Sequence, residues 1–241
     1  MKKNATGSNI KLMKKALVFL LICFSLVSCG TTVVYHNDKY TAEDADYALH
    51  VCIETANENA RSIFYNRLFA EESFIPSRYK ALFENNNTIP GMATLAESYR
   101  TSISSFILDR IQSVFEFADK KVKNISFKNP MNLVTSSDTS ISDAFLNMYR
   151  SDIKSQIEGI LKEADFSMLD KLILKYNSYV QSLSFIGENH GTALEATDYS
   201  ALLSEYITNL YCNDLRQCEE LFRTTPSPYY DNKITRVFGN F

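Results

Sequence analysis

From residue 41 onward, apolar residues recur at spacings of three and four, the period of helices that bury one side. The pattern predicts a first helix after Tyr40, with Thr41 as its N-cap. Glu43 and Asp44 lie in its first turn, where the helix dipole favours negative charge. The inward positions are mostly small and would let a second helix approach closely: Ala45, Ala48, Cys52, Ala56 and Ala60.

The same spacing predicts four further main helices and a last short segment, over residues 94–122, 141–164, 167–183, 198–222 and 233–238. Proline and asparagine clusters break the pattern between 71 and 92, where one or two helical turns are expected near Leu82. Gly159 lies inside the third main helix, where we expect it to mark a close helix crossing. No segment shows sustained alternation with period two. The sequence therefore predicts an all-α fold, a multi-helix bundle of about five main helices with short connecting helices.

Residues 14–29 read KKALVFLLICFSLVSC. Two lysines are followed by twelve mostly apolar residues, and these are followed by Ser28 and Cys29. This order is typical of a secretory signal peptide. Twelve helical residues span about 18 Å, too short for a hydrocarbon core of about 30 Å. Leu26 to Cys29 resembles the lipobox of bacterial lipoproteins, which implies lipidation of Cys29 after cleavage. The alternative is an ordinary cleaved signal followed by an incidental cysteine.

These patterns divide the chain into a lipoprotein signal peptide (1–28), an acylated cysteine with its tether (29–40) and a single helical domain (41–241). Translation could begin at Met1 or at Met13, with the same mature product. Cleavage removes five lysines and no acid, which leaves 20 basic and 28 acidic residues and a net charge of about −8. This balance argues against nucleic acid as a partner and against electrostatic docking on anionic lipid. Attachment to the membrane is therefore expected from the N-terminal acyl chains.

The mature domain keeps three cysteines besides Cys29. An oxidising compartment favours one disulfide and one remaining thiol. Cys212 and Cys218 would lie about 9 Å apart along a helix, too far for a bridge. We therefore expect a disulfide that joins Cys52 to Cys212 or Cys218. The alternative is three buried thiols that act as small hydrophobic residues.

Candidate chemistry is sparse. The glycine-bounded loop at 187–191 brings together Glu188 and His190, which could form a general acid–base pair, although loop composition alone explains them. No metal, nucleotide or nucleophile motif is present in the sequence, so no cofactor, metal site or catalytic residue is predicted. Further along the chain, the adjacent residues Glu219 and Glu220 are assigned to an exposed helix face.

Seven tyrosines lie in the last third of the chain and indicate an interface, a ligand groove or simply a core: Tyr176, Tyr179, Tyr199, Tyr206, Tyr211, Tyr229 and Tyr230.

Three stretches resemble a family of uncharacterised bacterial helical lipoproteins and exported proteins, known only as a domain of unknown function. They are the small-residue helix at 45–68, the stretch SDTSISDAFLNMY at 137–149, and the C-terminal part with LILKYN at 172–177 and ITRVFG at 234–239. The sequence departs from the family in its cysteines, its asparagine-rich loop and Pro226-Ser227-Pro228. The resemblance implies an all-α lipoprotein of the export pathway, and it supplies no catalytic residues.

We therefore expect a lipid-anchored protein of the cell envelope, exported from the cytoplasm and held at the inner or outer membrane. Its expected role is non-enzymatic binding or structure, in which a helical, tyrosine-bearing face contacts other envelope proteins. One alternative is a carrier of an apolar small molecule or lipid between its helices. A less favoured alternative is an enzyme that uses the loop with Glu188 and His190.

Overall fold

The chain folds into helices in a computed structural model that describes residues 40–69, 74–84, 88–186, 191–224 and 232–238. These residues contain no strand, so the predicted all-α fold is confirmed. All of them belong to one compact unit, Lys39–Phe241. The predicted signal peptide and the tether up to residue 39 lie outside the described residues.

The described residues form nine α-helices and one 3-10 turn, Ser77–Tyr79. In chain order the helices are α1 (Ala42–Phe69), α2 (Lys80–Glu84), α3 (Met92–Arg110), α4 (Gln112–Lys123), α5 (Pro130–Thr135), α6 (Ser140–Leu161), α7 (Ser167–Phe185), α8 (Tyr199–Thr224) and α9 (Asn232–Phe238).

Helix α1 is the central element, with α3, α4, α5, α6, α8 and α9 all in contact with it. The predicted stripe of small residues makes this possible, because Ala45, Ala48, Ala56 and Ala60 are completely buried. The predicted cap is also confirmed. The Thr41 hydroxyl accepts a hydrogen bond from the Asp44 backbone N–H, and the Asp44 carboxylate accepts one from the Thr41 N–H, both at 3.1 Å.

Helices α1, α4, α6 and α8 form a four-helix body in which successive helices run antiparallel. Tyr65 bonds to Gln112 while His50 contacts the Ile125 carbonyl, which fixes the opposite directions of α1 and α4. Glu219 reaches the first residues of α6, and Arg150 further along α6 reaches Glu205 earlier in α8. Helices α5 and α9 pack against one side of α1.

Helices α3 and α7 form a second pair, with the short α2 against both. The Tyr79 hydroxyl donates to the Glu195 carbonyl at 3.1 Å, and the Tyr199 hydroxyl donates to Asp170 at 2.6 Å. These contacts join the pair to the start of α8.

The predicted helix at 94–122 is divided into α3 and α4 at Ile111, which raises the number of long helices in the described chain to six. Ile111 keeps helical angles (φ −64°, ψ −19°) and is buried. The break separates two packing environments, because α3 packs mainly on α7 whereas α4 packs on α1 and α6.

Gly159 does not mark a helix crossing, and that expectation is wrong. A Cβ atom built at this position meets no other atom within 4 Å, and the residue is exposed. The glycine therefore lies on the outer side of α6.

Candidate functional site

Three of the residues singled out in the sequence, Cys29, Glu188 and His190, lie outside the described residues, as do Tyr229 and Tyr230. Their predicted roles as lipidation site, loop acid–base pair and part of a tyrosine face therefore stay predictions. The remaining candidates are the cysteines, the buried polar groups and the surface of the helical domain.

All three cysteines of the domain, Cys52, Cys212 and Cys218, are buried free thiols in the structure. The expected disulfide between Cys52 and one of the other two is not formed there. Cys52 lies near Glu219 and Arg223, whereas Cys212 faces Arg150. Burial raises the pKa of each thiol, which keeps it protonated and weakly nucleophilic.

The most elaborate polar cluster of the described chain surrounds Glu219 and Arg223, which are 0% and 1% exposed. The Glu219 carboxylate accepts the backbone N–H groups of Ile141 at 3.0 Å and Ser142 at 2.6 Å, at the N-terminus of α6. Arg223 donates from Nε to Glu219 at 2.9 Å. The carboxylate therefore neutralises a helix N-terminus and an arginine together.

The remaining donors of Arg223 reach helix α5 and the start of α6. They bond to the Leu133 and Val134 carbonyls at 3.1 Å and to the Ser140 hydroxyl at 2.8 Å. The guanidinium also lies 5.2 Å from the centre of the Phe238 ring on α9. One ion pair thus ties together α5, α6, α8 and α9, and each guanidinium nitrogen and each carboxylate oxygen has a hydrogen-bond partner.

The assignment of Glu219 to an exposed face was wrong, whereas its neighbour Glu220 is exposed. A signal for the burial was present in the sequence. Glu219 lies four residues after Leu215 and three before Phe222, on the apolar stripe of α8, and Arg223 follows it by four residues.

A second buried network joins α1, α4 and α8. The Tyr211 hydroxyl donates to the Asn57 side chain at 2.6 Å, and Asn57 donates to Asp119 at 2.5 Å. Arg61 completes the network with a bond to the other oxygen of Asp119 at 2.9 Å. Burial raises the pKa of Tyr211 well above its ordinary value, so the hydroxyl stays protonated and acts as a donor.

Each network connects neighbouring helices through side chains that bond to one another. Among the described residues, no group of three or more histidine, cysteine or acidic side chains is arranged to hold a metal ion. The hydrogen bonds of both networks fix how the helices pack.

A small apolar cavity lies inside the four-helix body, between Phe64, Phe115, Ile153 and Ile207. The cavity volume is about 10 Å³, roughly the room that one water molecule needs. Pockets for small-molecule ligands are typically about 300–1,000 Å³ and carry a few polar groups that orient the ligand. The one lining residue with a polar side chain is Tyr211, whose hydroxyl is already bonded to Asn57.

The outer side of α7 carries the most exposed apolar side chains of the described chain. Leu174 is 67% exposed, Phe185 is 92% exposed and Ile186, just after the helix, is 67% exposed. Leu174 and Phe185 are eleven residues apart, about three turns, and so lie on the same side of the helix.

The tyrosines of the last third do not form such a face where they are described. Tyr176 and Tyr211 are 5% and 3% exposed and belong to the core, and Tyr179, Tyr199 and Tyr206 are partly buried. The interpretation of these tyrosines as core residues fits this placement.

None of the described helices combines the length and the apolar character that a membrane crossing needs. No family model matches the chain, and no curated protein or solved structure matches it either. The resemblance to the family of bacterial helical lipoproteins therefore stays a prediction.

Proposed function

We propose that the protein is a lipid-anchored component of the cell envelope whose helical domain serves a non-enzymatic binding or structural role. The observation that carries the anchor is the stretch at 14–29, in which charge, a short apolar run, Ser28 and Cys29 follow in order. Several acyl chains hold a protein stably at a membrane, whereas one alone holds it marginally.

Metabolic labelling with a clickable fatty acid tests the anchor. The wild-type protein is expected to incorporate the label, and Cys29→Ala is expected to lose it and to leave the membrane fraction. Cys23→Ala is the matched control, because this cysteine lies in the same apolar run but before the proposed cleavage site. Equal labelling of Cys29→Ala and the wild type would reject the proposal.

The role of the domain is supported by two features of the described chain. Its buried charges are used to hold helices together, as at Glu219 and Arg223. Its outer surface on α7 exposes large apolar side chains, which are common at the centres of protein–protein contacts. A rigid body with such a surface suits a protein that contacts other envelope proteins.

Photo-crosslinking in cells tests this role. A crosslinking amino acid at Phe185 is expected to give discrete adducts of higher mass, and the same amino acid at Ser151, exposed on α6, is expected to give none. The absence of adducts at Phe185 and also at Leu174, in intact cells that express the protein at its native level, would contradict a contact through α7.

The alternative of a carrier for an apolar molecule has weaker support, because the cavity inside the body is below the usual ligand size. Native mass spectrometry of protein extracted gently from its own envelope would revive it by finding a stoichiometric lipid. The enzymatic alternative depends on Glu188 and His190, and unchanged phenotypes in His190→Ala would remove it.

A further inference from the structure

His50 occupies an unusual position on α1, with an acceptor against each of its ring nitrogens. Nδ1 lies 2.8 Å from the Asp46 carbonyl oxygen, one turn earlier in α1. Nε2 lies 3.0 Å from the Ile125 carbonyl oxygen, just after α4. The ring also packs edge-on against Phe127, with the ring centres 5.0 Å apart.

Carbonyl oxygens accept hydrogen bonds and cannot donate them, whereas a neutral imidazole carries one N–H donor and one acceptor. A neutral His50 can therefore satisfy only one of the two carbonyls, and its other nitrogen lone pair would face an oxygen. An imidazolium has two N–H donors and satisfies both. The full set of contacts at His50 thus matches the protonated ring.

The charged groups near the ring come from several helices. The Asp46 carboxylate on α1 lies 3.6 Å from Nδ1, and Glu54 follows His50 by one turn. Lys123 and Lys128 flank the acceptor segment on the α4–α5 side and are exposed. Helix α5 has no titratable side chain, and Lys233 of α9 lies 3.5 Å from Asp44. Glu219 and Arg223 of α8 are paired with each other.

We propose that His50 is a proton-dependent latch that fastens the segment after α4 to α1. The protonated ring holds both carbonyls and closes the latch. Loss of the proton leaves one uncharged N–H donor for two acceptors, so the Ile125 carbonyl either loses its donor or keeps a weaker one, and the segment is held less tightly. The latch is therefore closed at acid pH and weakened as the pH rises. This inference does not depend on the lipid anchor or on the proposed binding role.

Histidine-selective ¹⁵N and backbone ¹³C NMR of the full chain, recorded across the pH range in which imidazoles titrate, tests the latch. His50→Phe assigns the ring signals and serves as the control, since it keeps an aromatic ring beside Phe127 and removes both donors. In the wild type, the Ile125 carbonyl shift is expected to follow the protonation curve of the His50 ring. The protection factors of the amides at residues 125–127, which are exchange rates corrected for the intrinsic acceleration of exchange with pH, should fall about tenfold as the ring loses its proton, because a charged donor makes the stronger hydrogen bond.

The His50→Phe protein should show neither change over the same pH range. An Ile125 carbonyl shift and local protection factors that stay constant while the His50 ring loses its proton would overturn the proposal. The wild-type titration is sufficient for this decision if the variant does not fold. His50→Gln sharpens it, since an amide donor is independent of pH and should hold the segment equally at every pH measured.

Discussion

The four-helix body and the α3–α7 pair differ in their buried charges and in their most exposed apolar side chain. In the body, charges such as Glu219 and Arg223 are buried and hydrogen-bonded. In the pair, large apolar side chains such as Phe185 are left on the surface. A buried ion pair fixes the arrangement of helices more than it adds net stability, whereas an exposed apolar side chain contributes little to folding and can serve in contact. The buried pair connects the helices of the body, whereas α7 presents an exposed apolar surface.

The largest effect is expected from breaking the ion pair of the body. Glu219→Gln removes the charge that balances both Arg223 and the N-terminus of α6, which should lower the free energy of unfolding by about 3–5 kcal/mol. Chemical denaturation followed by circular dichroism measures the change. The neighbouring Glu220→Gln, on the exposed side of α8, should change stability by less than about 0.5 kcal/mol. Equal losses in the two variants would show that burial of the pair is not what matters.

The cap at the start of α1 should give a smaller effect that depends on pH. Thr41→Ala should cost about 1 kcal/mol. The hydrogen bond from the Thr41 N–H lowers the pKa of Asp44. Asp44 therefore stabilises the fold above its unfolded-state pKa, and this contribution is lost as the pH falls through the lower, folded-state pKa.

Thermal melts of the wild type and Asp44→Asn from neutral to strongly acid pH check this sign. The difference in melting temperature between the wild type and Asp44→Asn should disappear as the pH falls. Glu43→Gln, which changes an exposed residue in the same turn, should melt like the wild type at each pH. A gap that stays constant down to strongly acid pH would contradict the account.

Replacement of two glycines by alanine should change the stability of the protein in opposite directions. Gly159→Ala should stabilise the body by about 0.5–1 kcal/mol, because the site is helical and has room for a methyl group. Gly191→Ala, in the segment before α8, should destabilise the protein. Its φ is +130°, and a Cβ atom there would lie 2.8 Å from the Tyr176 hydroxyl. Melting temperatures that move in the same direction for both variants would refute this distinction.

The smallest change in stability is expected on the outer side of α7. Phe185→Ser should alter the free energy of unfolding by no more than about 0.5 kcal/mol, because the ring is 92% exposed. The same variant should reduce in-cell crosslinks from a probe at Leu174. A large loss of stability would show that Phe185 serves the fold of the pair.

Much of the fold follows from local signals in the sequence. Thr41 caps α1 as expected, and Asp198 accepts the Ala201 N–H at 3.0 Å at the start of α8. Both are short side chains placed before an apolar-periodic run. The break at Ile111 could not be anticipated in this way, because it has no proline or glycine and reflects a change of packing partner.

The buried polar groups were harder to predict for a related reason. Glutamate usually lies at exposed positions. Only the spacing of Glu219 from Leu215 and Phe222, which places it on the same side of α8 as these residues, indicates that it faces inward. Whether a carboxylate at such a position is tolerated depends on the N-terminus of α6, which lies 77 residues away in the chain. The three cysteines are buried free thiols in the structure, and sequence spacing does not say which side of α8 faces Cys52.

Intact mass spectrometry of the protein extracted from its native membrane tests the central claim most directly. The account predicts a mature chain that begins at Cys29 and carries the added mass of covalent acyl chains. A chain that begins elsewhere, or one that begins at Cys29 without acyl groups, would contradict the lipid-anchored role.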